Sequence, residues 1–286
     1  MEFWLVTSDH LSDRIWFRDD EDFKMGMNLV AILAFVLGVD VLAFELMSNH
    51  VHFVLCCPHS LARRFIDEYK KRYSQYMSKK YRTKDFLRKV GVDIQSIDGM
   101  NESLERAIAY VQMNCVAAQI CLSPILYPWG TGSCFFNAKS VKGSRIDTMS
   151  NRSRRRLLHS TKTLPSHFLV GEGGYILPEC YVKVDWVETL FRTPKRMDFF
   201  LRNSSKAKQR LEKDDKTPSF RDQLVQSAIP DLCQALFRKT SMAELDEEQK
   251  AELIKQLRYR FSANVHQLMR VTGLSYETVV AFLDKM

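Results

Sequence analysis

Several features that mark common protein classes are missing from this chain of 286 residues. Its 7 cysteines include no Cys-x-x-Cys pair, so neither a disulfide framework nor a zinc ribbon is indicated. Gly 11 and Pro 8 are too few for a fibrous or low-complexity protein. The longest uncharged apolar run, residues 29–39, is shorter than the roughly 20 residues that a membrane span needs. The first residues lack the basic-then-apolar order of a signal peptide, so we expect free thiols in a cytoplasmic protein.

Positive charge is in excess and is concentrated in two segments. The 42 Lys and Arg stand against 34 Asp and Glu, a formal net charge of +8, and 45% hydrophobic residues suffice for a core. Residues 63–89 hold eleven basic against three acidic side chains, and residues 139–162 hold eight against one. This distribution predicts binding to a polyanion, and a nucleic acid is the favoured one. The expected contacts are Arg63, Arg64, Lys70, Lys71, Arg72, Arg152, Arg154, Arg155 and Arg156.

Tyrosines are interleaved with the basic residues of the first segment. Tyr69, Tyr73 and Tyr76 recur at the i, i+4, i+7 spacing of one helix face. They either stack on unpaired bases or pack in the core, and the spacing does not decide between the two.

The first half of the chain alternates between strand-like and helix-like segments. The predicted strands are residues 3–7, 41–47, 51–57 and 88–97, and the predicted helices are residues 23–37, 61–81 and 102–122. Their order, β-α-β-β-α-β followed by a helix, predicts an α+β protein with a ferredoxin-like split βαβ unit, in which helices cover one face of an antiparallel sheet. We expect a charged linker at residues 206–216 and a mainly helical C-terminal region after residue 218.

The two central strands predict a β-hairpin with a turn at Ser48 and Asn49. This register pairs Glu45 with His52 and places both His50 and His52 on one polar face, because residues two apart on a strand project in the same direction. Two such imidazoles can bind one metal ion, and the alternative is a pair of exposed strand histidines. The opposite face is wholly apolar and is the predicted core side: Leu42, Phe44, Leu46, Val51, Phe53 and Leu55.

Tyr110 and Asn114 lie four residues apart, on one face of the next predicted helix. A tyrosine beside an amide oxygen ligand suits phosphoryl transfer, in which a metal ion polarises a phosphate oxygen and the phenol oxygen attacks phosphorus. The alternative is a packed tyrosine whose hydroxyl is hydrogen-bonded. A phenol with a pKa of about 10 needs a general base, and the sequence identifies none.

Residues 264–283 predict two short helices joined by a turn at Gly273, with Ser275 capping the second helix. A helix-turn-helix of this kind would place Tyr276, Glu277 and Thr278 near a DNA major groove, and Tyr276 and Thr278 are the expected contacts. The alternative is a helical hairpin used for packing or dimerisation, because the second helix is poor in Lys and Arg.

The segment Met47-Ser48-Asn49-His50-Val51-His52 resembles the His–hydrophobic–His (HUH) signature of single-tyrosine transposases, in particular the REP-associated tyrosine transposases of bacteria. Further matches follow in the order of that family: residues 15–22, 73–81 and 110–116, and then Tyr127-Pro128-Trp129. The resemblance covers about residues 1–136 and continues more weakly to about residue 200.

The resemblance implies a function for the residues already singled out. His50, His52 and Asn114 would bind Mg²⁺ or Mn²⁺, and Tyr110 would cleave single-stranded or hairpin DNA to give a 5′-phosphotyrosine and a free 3′-OH. It also implies a ferredoxin-like palm, dimers, and a nucleoid-associated location in a bacterium. The chain then divides into an HUH catalytic domain at residues 1–136, a basic extension with a charged linker at 137–216, and a helical module at 217–286.

Three residues depart from the family pattern. Cys115 stands where proline usually follows the asparagine, and this change could shift the helix. Ser48 also stands where proline is common. Glu45 stands where the family is usually apolar, and it either fixes the tautomer of His52 or is an exposed strand residue.

The leading hypothesis is a metal-dependent single-stranded DNA endonuclease and strand transferase. The main alternative is a DNA-binding regulator on a transposase-derived scaffold that has lost catalysis. A third hypothesis is an RNA-processing nuclease of ferredoxin-like fold, which would recognise the 2′-OH of its substrate.

Overall fold

The first six regular elements have the predicted order. A computed structural model of the chain describes residues 1–8, 15–83, 87, 90–118, 120–137, 141–211, 222–261, 263 and 265–284. The six elements are β1 (Phe3–Ser8), α1 (Asp20–Leu37), β2 (Asp40–Leu46), β3 (Val51–Cys56), α2 (His59–Tyr81) and β4 (Val92–Ile97). Residues 88 and 89 of the predicted fourth strand lie outside the described residues.

The four strands form one antiparallel sheet in the order β2-β3-β1-β4. The hairpin register is confirmed, since Glu45 pairs with His52 and Phe44 pairs with Phe53. The predicted register continues to Ala43, which lies opposite Val54, and fails at Leu42, where a bulge places Val41 opposite Leu55. Leu42 is nevertheless buried.

Both faces of the hairpin are covered. Phe53 packs edge-on against Phe65 and Tyr69 of α2, on the predicted core side. On the other side, the helix α3 (Ser103–Gln112) packs against β2 and β3. The alternative of two exposed strand histidines therefore fails for His52, because Glu45 and His52 are each only 2% exposed. The reading of Glu45 as an exposed strand residue fails for the same reason.

The helix predicted at residues 102–122 is broken at Met113. The structure has α3 and then a short helix, α4 (Asn114–Ala117), and residue 119 lies outside the described part. The Asn114 side-chain amide donates to the carbonyls of Tyr110, at 2.9 Å, and Val111, at 3.2 Å. The Tyr110 carbonyl is the acceptor that the Asn114 backbone N–H would use in a continuous helix. A side chain thus competes with the backbone at the break.

The open edge of β2 is covered by residues 127–131. The Leu46 N–H donates to the carbonyl of Trp129 at 2.8 Å, and the Tyr127 hydroxyl donates to the carbonyl of Leu46 at 2.7 Å. The ring of Trp129 stacks on Phe23 of α1, with ring centroids 4.9 Å apart. Gly130 allows this approach, since a β-carbon there would lie 2.9 Å from the carbonyl oxygen of Phe44.

The middle of the chain packs on the first six elements. Its elements are β5 (Ser144–Arg145), α5 (Asn151–Leu158), β6 (Leu169–Val170), α6 (Val184–Phe191) and α7 (Pro194–Leu211). Buried Asn28 of α1 ties α5 down, because its amide nitrogen donates to the Leu157 carbonyl at 3.0 Å. The charged linker predicted at residues 206–216 is helical as far as Leu211, because α7 continues through it, and residues 212–216 lie outside the described residues.

The helices predicted after residue 218 are confirmed, and they share a second hydrophobic core. They are α8 (Asp222–Phe237), α9 (Glu247–Phe261), α10 (Val265–Thr272) and α11 (Tyr276–Asp284), which we call the helical module. The turn between α10 and α11 uses Gly273 at φ +74°, and the Ser275 hydroxyl caps α11 by accepting from the Thr278 N–H at 3.2 Å. Asn264 lies outside the described residues. No helix in the described ranges is long and apolar enough to cross a membrane.

The buried carboxylate of Asp22 joins the start of α1 to the end of α2. It accepts from the Arg18 N–H at 2.8 Å, from the Tyr76 and Tyr81 hydroxyls at 3.0 Å each, and from the Lys80 ammonium at 2.7 Å. Its side chain has no exposed surface. Tyr76, a base-stacking candidate from the sequence, and Tyr81 thus hold two helices together.

We expect Asp22→Asn to lower the free energy of unfolding by about 1–3 kcal/mol, because it removes a buried ion pair and leaves donors with one acceptor fewer. Urea unfolding followed by circular dichroism measures the change. The matched control is Asp20→Asn, in the same helical turn but exposed, which should have a much smaller effect. Equal effects of the two variants would contradict this role of Asp22.

Candidate functional site

The two histidines lie at the start of β3 and face one another. The ring centroids of His50 and His52 are 4.8 Å apart and their planes are perpendicular. His52 is buried and His50 is half-buried. The predicted pair is therefore close enough in space to share one ligand.

Tyr110 is brought to the histidines by α3. Its ring centroid lies 5.7 Å from that of His52, with the ring planes at 86°. Tyr110 is half-buried, so one side of its ring packs while the rest is accessible. The structure thus places together residues that are 58 positions apart in the sequence and that the sequence assigned to one site.

Asn114 lies at the helix break directly after Tyr110 and is 2% exposed. Its amide nitrogen is occupied by the carbonyls of Tyr110 and Val111, which fixes the orientation of the side chain. The amide oxygen is the atom that a metal ion would use. The break, which the sequence did not predict, is what orients this amide relative to the tyrosine.

Two polar residues that the sequence analysis missed contact the imidazoles. The Thr7 hydroxyl lies 3.1 Å from Nδ1 of His52, and the side-chain oxygen of Asn49 lies 2.9 Å from Nδ1 of His50. When Nδ1 of an imidazole is held by a protein oxygen, Nε2 is the nitrogen that ligates a metal. Asn49 is adjacent to His50 and could have been noticed, whereas Thr7 reaches His52 only because β1 pairs with β3.

The donor chemistry fits a divalent cation. Two imidazole nitrogens and one amide oxygen are acceptable ligands for Mn²⁺ and are tolerated by Mg²⁺. Within the described residues, no group of three or more His, Cys, Asp and Glu is placed to hold a metal ion.

Cys115 follows Asn114 and is fully buried. Its thiol donates to the Gln112 carbonyl at 3.4 Å. A hydrogen bond with Cys121, burial and the nearby Glu45 carboxylate raise the pKa of the Cys115 thiol well above its ordinary value. The same hydrogen bond lowers the pKa of the half-buried Cys121 thiol, although burial opposes it. Glu45, which pairs with His52 across the hairpin, is thus also close enough to influence the Cys115 thiol.

The two basic segments meet in one groove between α1, α2 and α5. Its charged lining is mostly basic: Lys24, Lys71, Arg72, Lys79, Lys80, Arg155, Arg156 and Lys162, with Glu21 and Glu68. Of the predicted contacts, Lys71, Arg72, Arg155 and Arg156 therefore converge. Part of this charge is neutralised internally, because Arg72 pairs with Glu68 at 3.1 Å and Lys80 pairs with Asp22 at 2.7 Å.

His159 lies in the lining of the groove. The pKa of its imidazole is lowered mainly by burial, with Lys79 acting in the same direction and Glu21 in the opposite one.

The remaining predicted nucleic-acid contacts do not line this groove. Arg63, Arg64 and Arg152 are exposed, Arg154 is half-buried, and Lys70 donates to the Val90 carbonyl. In the helical module, Tyr276 is 47% exposed and its ring lies 5.7 Å from that of His266, while the Thr278 hydroxyl lies 2.9 Å from that of Ser275. Tyr69 and Tyr73 are fully buried, so the core interpretation is confirmed for both.

The groove and the histidines lie on opposite sides of the sheet. His52 faces α3, whereas its neighbour Phe53 faces α2, and adjacent strand residues project to opposite faces. The groove is formed by the outer surfaces of α1 and α2 together with α5. The sheet and a helix layer therefore lie between the groove and the histidines.

Cys121 is the one cysteine of the seven whose pKa is lowered, while burial raises the pKa of Cys56 and Cys180, which are equally half-buried. We expect iodoacetamide at about pH 7 to alkylate Cys121 first, because a lower pKa leaves more thiolate. Peptide mass spectrometry over time measures the order. Cys121→Ser should remove the fastest phase and Cys180→Ser should leave it. Faster labelling of Cys56 or Cys180 would contradict the assignment.

Comparisons of the chain with protein-family models, with curated proteins and with solved structures returned no match. Conclusions about function therefore rest on the residues and contacts described above.

Proposed function

We propose that this chain is a metal-dependent endonuclease and strand transferase acting on single-stranded or hairpin DNA, with Tyr110 as its nucleophile. The observation that carries the proposal is the approach of Tyr110 to the His50–His52 pair, with ring centroids of Tyr110 and His52 5.7 Å apart. The two histidines at the start of β3 and the tyrosine of α3 come from two elements that pack together. The resemblance to HUH single-tyrosine transposases assigns the same roles to the same residues.

The proposed fold of residues 1–136 is a ferredoxin-like palm. The strand order β2-β3-β1-β4 with antiparallel neighbours supports it, as does the order of the six elements along the chain. In such a palm the sheet is a rigid base for side chains that must hold a fixed geometry. His52 lies on a central strand, paired on both sides, which suits a ligand position.

In the proposed reaction, His50, His52 and Asn114 would hold Mg²⁺ or Mn²⁺, and the chemistry supplied by such an ion would be polarisation of a phosphate oxygen of the DNA. Thr7 and Asn49 keep the imidazoles oriented through Nδ1. The Tyr110 phenol loses its proton and its oxygen attacks phosphorus. A tyrosine–phosphate bond forms, the bond from phosphorus to the 3′ oxygen breaks, and the leaving oxygen takes up a proton as a 3′-OH. The 5′-phosphotyrosine conserves the energy of the broken bond, so a 3′-OH can rejoin without ATP.

The groove supports a nucleic-acid partner. It gathers basic residues from segments that are far apart in the sequence, and a concentration of like charge is costly unless an anion binds. Since the groove lies on the far side of the sheet, DNA bound there would reach the histidines only by passing around an edge of the sheet. The same separation favours the alternative function, a DNA-binding regulator without cleavage.

We expect Tyr110→Phe to abolish the covalent adduct with a hairpin oligonucleotide in Mn²⁺ and to slow cleavage by at least about 10³-fold, because the variant lacks only the attacking oxygen. Denaturing gels and peptide mass spectrometry detect the adduct. Tyr175→Phe, which removes the hydroxyl of a half-buried tyrosine with no proposed role in cleavage or DNA binding, is the matched control and should retain the adduct. An adduct on Tyr110→Phe would refute the nucleophile. Binding without any adduct for the unaltered protein, across several metals, would favour the regulator.

We expect the double substitution Arg155→Ala and Arg156→Ala to weaken hairpin binding and to reduce the slope of log affinity against log salt by about 2, since each phosphate contact contributes about 0.9. Fluorescence anisotropy at several salt concentrations measures the slope. The matched control is Arg63→Ala with Arg64→Ala, an exposed pair outside the groove. An equal change of the salt slope in both double variants would contradict the proposal that DNA binds in the groove. Running DNA and RNA hairpins of one sequence in parallel tests the RNA-processing reading.

A further inference from the structure

The carboxylate of Asp222 joins the helical module to the hairpin turn. Asp222 is the first residue of α8 and is 2% exposed. It accepts from the Ser48 hydroxyl at 2.8 Å, from the Gln267 amide at 2.9 Å and from Arg270, whose Nε lies at 2.9 Å and Nη2 at 3.3 Å. Its partners therefore come from two sides: α10 of the module and the turn between β2 and β3.

The same turn is also held from the palm. The carbonyl of Ser48 accepts from the backbone N–H groups of Trp16, at 2.7 Å, and Phe17, at 3.1 Å. The Met47 N–H donates to the His50 carbonyl at 2.8 Å and closes the turn. The side chain of Ser48 is thus the point at which the module adds a contact to a turn that the palm already shapes.

Ser48 is separated from a candidate metal ligand by one residue. Asn49 is buried, and its side-chain oxygen lies 2.9 Å from Nδ1 of His50. A rotation of the turn would therefore change the direction of the His50 imidazole. His52 differs, because it lies within β3 and is oriented by Thr7 of β1.

The hydrogen bonds of the Asp222 carboxylate make this contact rigid. A buried carboxylate is stable only when its charge is paired and its oxygens are hydrogen-bonded, and here an arginine and two neutral donors satisfy it. Loss of one donor would leave a buried anion with fewer partners. Ser48 stands where the family pattern commonly has proline, which has no hydroxyl and could not donate to Asp222.

We infer that Asp222 is a positioning residue through which the helical module fixes the Ser48–Asn49 turn and thereby aims His50. The inference rests on the proposed function in one respect, the role of His50 as a metal ligand. It adds that α8–α11 belong to the architecture of that site as well as forming a module of their own. A displacement of the module would be transmitted to His50 while His52 stays in place.

The test uses the full chain and two readouts. Ser48→Ala removes the donor to Asp222, and we expect it to shift the imidazole ¹⁵N resonances of His50 while those of His52 change little. We also expect it to weaken Mn²⁺ binding, followed by electron paramagnetic resonance titration, about 10–100-fold, as loss of a residue that orients a ligand does. Ser48→Thr keeps the hydroxyl and should restore both readouts.

Val279→Ala is the matched control, because Val279 lies in the core of the module and is fully buried. It should lower the stability of the module and leave His50 and Mn²⁺ binding unchanged. The inference is overturned when Ser48→Ala leaves the His50 resonances unchanged, or when Val279→Ala shifts them equally. An unaltered protein that binds no Mn²⁺ would refute the metal site of the proposed function, while the His50 resonances would still decide the positioning role.

Discussion

The register of the β2–β3 hairpin is the constraint on which the rest of the structure depends. Phe44 and Phe53 point to one face and Glu45 and His52 to the other, and both faces are covered by helices. A slip of one residue would exchange the two sets, placing a carboxylate and an imidazole in the aromatic layer above α2. The apolar side thus fixes the register, and the register in turn brings His52 to α3. The position of the candidate site on one side of the sheet is therefore determined by the packing of apolar residues on the other side.

Two local features then complete the site. The break at Met113 allows the Asn114 amide to fold back on the Tyr110 carbonyl, so that tyrosine and amide are fixed relative to each other. The Tyr127–Thr131 segment covers the free edge of β2, which would otherwise offer unpaired backbone groups to another chain. Both features hold the polar side of the hairpin closed, and both depend on hydrogen bonds to backbone carbonyls. Stability and site geometry therefore share the same contacts.

Sequence patterns predicted what depends on local periodicity. The alternation of residues 41–57 predicted the hairpin register, and Gly273 with Ser275 predicted the α10–α11 turn. The helix predicted at residues 23–37 ends where α1 does, and Gly38 follows it at φ +62°. The bulge at Leu42 and the break at Met113 could not be predicted from the sequence pattern. At the break, a side chain competes with the regular hydrogen bonds of the helix. At the bulge, the neighbouring strand competes with the regular hydrogen bonds of the sheet. The burial of Glu45 was missed because it depends on α3, which packs over the hairpin from a distant part of the chain. The Ser48–Asp222 contact joins residues 174 positions apart and has no local signature.

The central claim is that His50 and His52 act together as metal ligands beside Tyr110. Electron spin echo envelope modulation of Mn²⁺ added to protein with ¹⁵N-labelled histidine measures imidazole coordination directly. The account predicts couplings from two imidazole nitrogens, falling to one in His50→Ala and in His52→Ala. Modulation from water alone, or couplings that persist unchanged in both variants, would contradict it.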